Sequence, residues 1–344
     1  MRKFVIAIIL FLGFLFVVAK LAEIQNIAIT LQRGIWWVLV LALVVEFLWL
    51  INCAASFKTI YRAMGIEEQL GTLSLIVSAA NFVNIVAPSA GVGGLAIFIS
   101  EARRRNYSPA RAAVAGVLFL LFDYLGLIGI LLIGLVILIR RNDLTLVVIL
   151  ASSALIGLAL LFAFLLNLGM QSATALGNVL GRIAHFINRL LRPFIHRDYL
   201  SETRAHEFAH DAADGLIKMR SEPKSMLMPL FLAFTNKTAL IIILTLVFLA
   251  FKVPISVGTI VACFSIGYLF VIISPTPSGI GVVEGALTLA LTSMYISLED
   301  AAVITLSYRG ITFWLPMLFG MVSLRVLERV GIKPNSNNNH DIQV

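Results

Sequence analysis

Long apolar runs alternate with short polar segments along nearly the whole chain. Runs over 4–22, 34–53, 112–139, 144–168, 226–251 and 301–325 each approach the ~20 residues that a helix needs to cross a bilayer, which predicts six full transmembrane helices. Two further apolar segments, 70–100 and 256–296, are each interrupted by a polar knot rich in Gly and Pro and predict re-entrant hairpins. Ser56 to Gln69, with Lys58, Arg62, Glu67 and Glu68, reads as a short interfacial helix. Residues 170–225 form an extended polar segment in which Ile183, Phe186, Ile187, Leu190, Leu191 and Phe194 recur at helical spacing, so amphipathic helices on the membrane face are expected. The pattern gives one polytopic domain over 1–330 of all-α, multi-pass membrane class, with a disordered tail at 331–344.

The two knots organise the chain. The second is Ser274-Pro275-Thr276-Pro277-Ser278-Gly279-Ile280-Gly281-Val282-Val283-Glu284. Its prolines remove backbone donors and its glycines admit conformations that other residues avoid, so no helix runs smoothly through it. A broken backbone survives in lipid only where protein or a water-filled cavity satisfies its polar groups, which makes the knot a candidate site. A weaker copy, Ala87-Pro88-Ser89-Ala90-Gly91-Val92-Gly93-Gly94, is followed by the acid Glu101. Gly91-x-Gly93 matches Gly279-x-Gly281, and Ser108-x-x-x-Ala112-Ala113-Val114 matches Ser297-x-x-x-Ala301-Ala302-Val303 at nearly the same offset. Two matches in one order point to a duplicated unit with halves at about 35–140 and 226–325.

Composition agrees with the pattern. Of 344 residues, 60% are hydrophobic and 13% charged, at a mean hydropathy of +0.99, which excludes a soluble domain. The net charge of +8 fits Lys and Arg gathered in cytoplasmic loops rather than a nucleic-acid partner. Cys53 and Cys263 lie in or beside apolar runs and make neither a disulfide framework nor a paired metal site. Met1-Arg2-Lys3 and the run after it resemble a signal peptide, but Val18-Ala19-Lys20-Leu21-Ala22 is a poor cleavage site, so the run is kept as the first span. With both termini cytoplasmic, the basic segments all fall inside except Arg140 and Arg141, and the two hairpins enter from opposite sides. The repeats are then inverted, a plan recurrent in carriers of the cytoplasmic (inner) membrane.

Ionisable residues inside apolar runs each need a partner or a purpose, and this chain has Glu46, Asp123, Lys237, Glu284 and Arg309. One reading is structural ion pairs, Asp123 with Arg309 and Glu46 with Lys237. The other makes Lys237 and Arg309 a cationic seat for a phosphate, with Glu284 and Asp123 orienting them or exchanging protons. The substrate-binding candidates are thus Lys237, Arg309, Glu284, Asp123, Glu46 and Tyr308, with Pro275, Pro277, Gly279, Gly281, Pro88, Gly91 and Gly93 in the knots. Asn81, Asn84, Tyr268 and Trp314 add polar or aromatic contacts.

One motif points to different chemistry. His206-Glu207-Phe208-Ala209-His210 spells HExxH, in which two histidines on one helical face hold zinc and the glutamate acts as base. The segment is short for a protease cleft and no third ligand stands out among Asp211, Asp214 and Glu222, so a solvated helix is the competing reading.

The second knot with its acid, followed by Ala301-Ala302, Tyr308-Arg309 and Phe313-Trp314, resembles the flippase-like membrane domain of the lysylphosphatidylglycerol synthase/flippase superfamily. The first knot with Arg111-Ala112-Ala113 and Asp123 fits the same family's first half. The resemblance implies a carrier that moves an anionic or modified phospholipid, or a lipid-linked precursor such as a polyprenyl phosphate, between leaflets without a cofactor. Two departures matter. No counterpart of the aminoacyltransferase domain is present, so lysyl transfer is not expected, and the first knot lacks a closely following acid. Alternatives are a zinc metallopeptidase using His206, Glu207 and His210, and an accessory subunit whose basic 170–225 face recruits a lipid-modifying enzyme to anionic headgroups. A homo-oligomer is also compatible with the sequence.

Overall fold

The computed structural model describes residues 33–86, 93–141, 145–191, 202–221, 223–254, 256–274 and 276–330. The apolar run at 4–22, the centre of the first knot with Pro88 and Gly91, Pro275, and the tail after 330 lie outside these residues. Every regular element among the described residues is helical: α1 (Trp36–Ala63), α2 (Leu70–Val86), α3 (Leu95–Arg104), α4 (Pro109–Arg141), α5 (Leu146–Gln171), α6 (Ala173–Leu191), α7 (Glu202–Ser221), α8 (Leu227–Ala250), α9 (Val257–Ile273), α10 (Val282–Ser293), α11 (Leu298–Arg309) and α12 (Leu315–Val330). Local chemistry starts several of them. Thr145, Ser256 and Ser297 accept hydrogen bonds from Val148, Thr259 and Asp300 N–H groups at the first turns of α5, α9 and α11.

Five stretches are long and apolar enough to cross a membrane: Trp36–Ala63, Pro109–Arg141, Leu146–Gln171, Lys224–Ala250 and Leu298–Arg329. Their large apolar side chains point outward as often as inward, with Trp36, Leu132, Ile133, Leu150 and Leu160 all more than half exposed. Such a surface belongs in lipid, and the chain is an all-α, multi-pass membrane protein. The last span is continuous because α11 passes into α12 through a π-helical turn at Gly310–Trp314. By contrast α3 has ten residues and α10 twelve, about 15 and 18 Å at 1.5 Å per residue, so neither crosses a ~30 Å hydrocarbon layer.

Two expectations change. Ser56 to Ala63 is not a separate interfacial helix but the continuation of α1. Its apolar face is buried by protein, with Phe57 stacked between Phe98 and Phe119 at ring distances of 4.0 and 4.2 Å. Likewise α7 does not lie on the membrane by its apolar side alone, since Ala209, Ala212 and Leu216 are buried where it docks on α4 and α5.

The elements follow one order twice: long, short, short, long, as α1–α4 and then α8–α12. The halves interlock. α1 packs along α8, α2 packs on α12 of the other half, and α9 packs on α4. A glycine permits each of the last two approaches: a Cβ on Gly320 would lie 2.4 Å from the Ser78 carbonyl, and one on Gly134 would lie 2.7 Å from Ser265 Oγ. The broken ends of α2 and α9 are thereby held inside the bundle.

Candidate functional site

α9 ends at Ser274, whose backbone turns extended, and the chain then makes one 3₁₀ turn at Pro277–Gly279 before α10 begins. Ser278, Gly279 and Gly281 take positive φ values of 47°, 73° and 79°, so the two glycines sit where a side chain would be strained. The hydroxyls of the knot satisfy its freed backbone: Thr276 Oγ1 donates to the Ile280 carbonyl (3.0 Å), and Ser274 Oγ accepts from the Thr276 N–H (3.2 Å). Glu284, the third residue of α10, accepts the Gly281 N–H through Oε2 at 2.7 Å.

The free face of Glu284 takes a cation. Arg309, from the end of α11, donates Nε to Glu284 Oε1 at 2.9 Å and Nη2 to the Ser278 carbonyl at 3.1 Å, with its guanidinium 4.7 Å from the Phe313 ring centre. Arg309 is only 4% exposed. It is clamped to the carbonyl of a broken stretch of backbone inside the bundle. The second cation is paired across the halves: Lys237 Nζ of α8 donates to Asp123 Oδ1 of α4 at 2.6 Å and lies 3.8 Å over the Tyr268 ring.

These pairings correct both expected ones. Asp123 holds Lys237 rather than Arg309, because α4 and α8 pack together while Arg309 points to the knot of its own half. Glu46 does not hold Lys237; it is fully buried in α1, and neither of its oxygens has a hydrogen-bond partner among the described residues. Glu101, the acid after the first knot, belongs to a separate cluster with Arg104 (2.6 Å) and Arg105 (3.5 Å), and Arg105 reaches Glu68 (3.2 Å). In that first half Asn84 does what Glu284 does in the second, accepting the Gly94 N–H at 2.6 Å.

Asp123 and Arg309 line one cavity of about 190 Å³, walled by α1, α2, α4, α8, α9, α11 and the second knot, so that both halves contribute. Its polar lining includes Ser274, Thr276, Thr312 and Tyr308 with Asn81 and Trp49, whose Nδ2 and Nε1 donors have no partner among the described residues. The space is on the scale of a small polar headgroup. Gly93 lies at the turn into α3, its carbonyl accepting the Ala96 N–H at 3.2 Å, and Pro277 lies in the 3₁₀ turn.

The comparison with known proteins adds a decisive match. Residues 4–320 fit the family described as the lysylphosphatidylglycerol synthase TM region. The chain belongs to that family. Among its relatives are a UPF0104 membrane protein of Methanocaldococcus jannaschii, 23% identical over 94% of this chain and 95% of the relative, and one of Methanothermobacter thermautotrophicus, 23% identical over 83% of each. Membership in the lysylphosphatidylglycerol synthase TM family gives the chain a function connected with membrane lipid.

Several contributors escaped the residue-by-residue reading. Asn52 bridges to Asn236 Oδ1 (2.6 Å) and Thr235 (2.9 Å), stitching α1 to α8, and Thr312 and Trp49 line the cavity. The available signal was the presence of amides and hydroxyls inside otherwise apolar runs. Of the HExxH residues, Glu207 and His210 are exposed on α7, with His210 Nδ1 3.9 Å from Asp214. Among the described residues no three metal-binding side chains gather.

Proposed function

We propose that this protein moves an anionic or modified phospholipid, or a lipid-linked precursor, between the leaflets of the cytoplasmic membrane, with both termini on the cytoplasmic side. The observation that carries the reading is the cavity shared by the two halves, lined by Arg309, which a broken backbone anchors, and by Asp123, which Lys237 holds from behind the lining. A headgroup phosphate engages the guanidinium and the Trp49 and Asn81 donors, and the acyl chains stay in lipid outside the 190 Å³ space. If the halves are inverted repeats, exchanging their conformations opens this one site to either leaflet in turn. The interlocked pairs α2 with α12 and α4 with α9 are where such an exchange slides.

The test is movement of labelled phospholipids and polyprenyl phosphates across proteoliposome membranes by wild type, Arg309→Ala and His206→Ala. The reading expects movement of at least one lipid, lost in Arg309→Ala and kept in His206→Ala. Movement that survives Arg309→Ala unchanged, in folded protein, removes Arg309 from the pathway and the reading with it.

A further inference from the structure

Four of the five charged residues singled out in the apolar runs form two closed pairs, each net neutral: Asp123 with Lys237, and Glu284 with Arg309. Glu46 is left over. It is fully buried, and both of its carboxyl oxygens are without a hydrogen bond among the described residues. An ionised carboxylate buried without a partner costs several kcal/mol, whereas a neutral carboxylic acid loses only one or two hydrogen bonds. The arrangement is compatible with the neutral acid, which carries a proton.

Glu46 is also well placed to exchange it. On α1 it shares a face with Trp49 and Cys53, spaced three and seven residues on, and both of these line the cavity. Glu46 therefore sits one turn beyond the cavity wall, about 4.5 Å along the helix axis from Trp49. The groups that confront it from the neighbouring elements are few. Tyr308 of α11 and Cys53 of α1 itself lie within its electrostatic reach; α8 carries Lys237, held by Asp123 of α4, and Arg309 beside Tyr308 is held by Glu284. α2 and the π-helical turn at Gly310–Trp314, which touches α1, carry no charged or titratable residue.

We infer that Glu46 is the proton-binding site of a proton-coupled cycle, taking a proton from water on one side through the cavity and releasing it to water on the other. The inference rests on the lipid-translocation reading and moves the proton from Glu284 and Asp123, which hold cations, to the acid that holds none among the described residues. While Glu46 holds its proton, Arg309 stays with Glu284, the pairing seen here. Loss of the proton leaves a buried negative charge; among the described residues the cations inside the spans, Arg309 and Lys237, are both engaged, so neutralising it draws one of them from its present acid. A headgroup phosphate arriving at Arg309 competes for the same cation, so lipid and proton occupancy are linked.

Two measurements test this. Infrared difference spectra of the folded protein in H₂O and D₂O should show a protonated carboxyl C=O band that disappears in Glu46→Gln; no such band in wild type means that Glu46 is ionised and overturns the inference without any transport assay. In proteoliposomes with the membrane potential clamped at zero, a pH difference of about one unit should build up to about tenfold asymmetry of the transported lipid at one proton per lipid. Glu46→Gln, which keeps the neutral shape, should move lipid but bring the asymmetry to about onefold. Wild-type movement that ignores the gradient overturns the proton site and leaves translocation standing. Absence of any lipid movement, with the protein folded, overturns both.

Discussion

Removing one partner of the inter-half ion pair should cost far more than removing both. Lys237 is 1% exposed with its ammonium on Asp123 and the Tyr268 ring, whereas the Asp123 side chain keeps 15% exposure into the cavity. Lys237→Met leaves a buried, unpaired carboxylate; breaking such a pair costs about 3–5 kcal/mol, and the cavity's hydration of Asp123 puts this case near about 3 kcal/mol. Asp123→Leu combined with Lys237→Met removes both charges, and stability should return to within about 1 kcal/mol of wild type, since buried pairs replaced by apolar groups are often neutral. Adding Glu46→Gln to Lys237→Met should rescue nothing, because Glu46 is not the lysine's partner. The assay is reversible denaturation in mixed micelles followed by tryptophan fluorescence, read as a double-mutant cycle. A double variant no more stable than Lys237→Met, or a rescue by Glu46→Gln equal to that by Asp123→Leu, would refute the pairing and the reasoning from it.

The knot and the helix contacts give sharper contrasts. Gly279→Ala should destabilise by more than about 1–3 kcal/mol, because φ is +73° and the new Cβ would lie 2.2 Å from Val283 Cγ2, while Gly281→Ala, equally strained at +79° but with open space, should cost only about 1 kcal/mol; unfolding midpoints compare them. Gly320→Ala should loosen α12 from α2, since its Cβ meets the Ser78 carbonyl at 2.4 Å, and should raise proteolysis at α2, whereas Gly285→Ala on α10 meets nothing within 4 Å and should be neutral or stabilising. Asn84→Ala should cost about 1–3 kcal/mol by stripping the Gly94 N–H of its acceptor, and Asn84→Asp should recover most of it, as judged by thermal unfolding.

What could be read from the chain follows from what fixes each element. Spans came from composition over some twenty residues, a signal that lipid imposes directly, so five of the expected crossings are present and the sixth, at 4–22, lies outside the described residues. The second knot was legible because Pro and Gly act locally: the break at Ser274, the positive φ at Gly279 and Gly281, and the capping Glu284 all follow from residue type. Ion pairing was not legible. Whether Arg309 meets Asp123 or Glu284 depends on which way its helix turns relative to the knot, and that is set by the α2–α12 and α4–α9 packing, far from either charge in sequence. The end of α1 was misread for the same reason: an amphipathic stripe is identical whether lipid headgroups or Phe98 and Phe119 cover it.

The central claim is that a lipid headgroup occupies the cavity between Asp123 and Arg309, and covalent mapping with a lipid tests it most directly. An anionic phospholipid with a photoreactive group on its headgroup is incorporated with the protein, illuminated, and the labelled peptides are sequenced. Label on the second knot and on α4 near Asp123, suppressed by unlabelled lipid and absent from Arg309→Ala, is the predicted result. Label confined to α6 and α7, unchanged by Arg309→Ala, would place the headgroup on the polar segment outside the cavity and contradict the account.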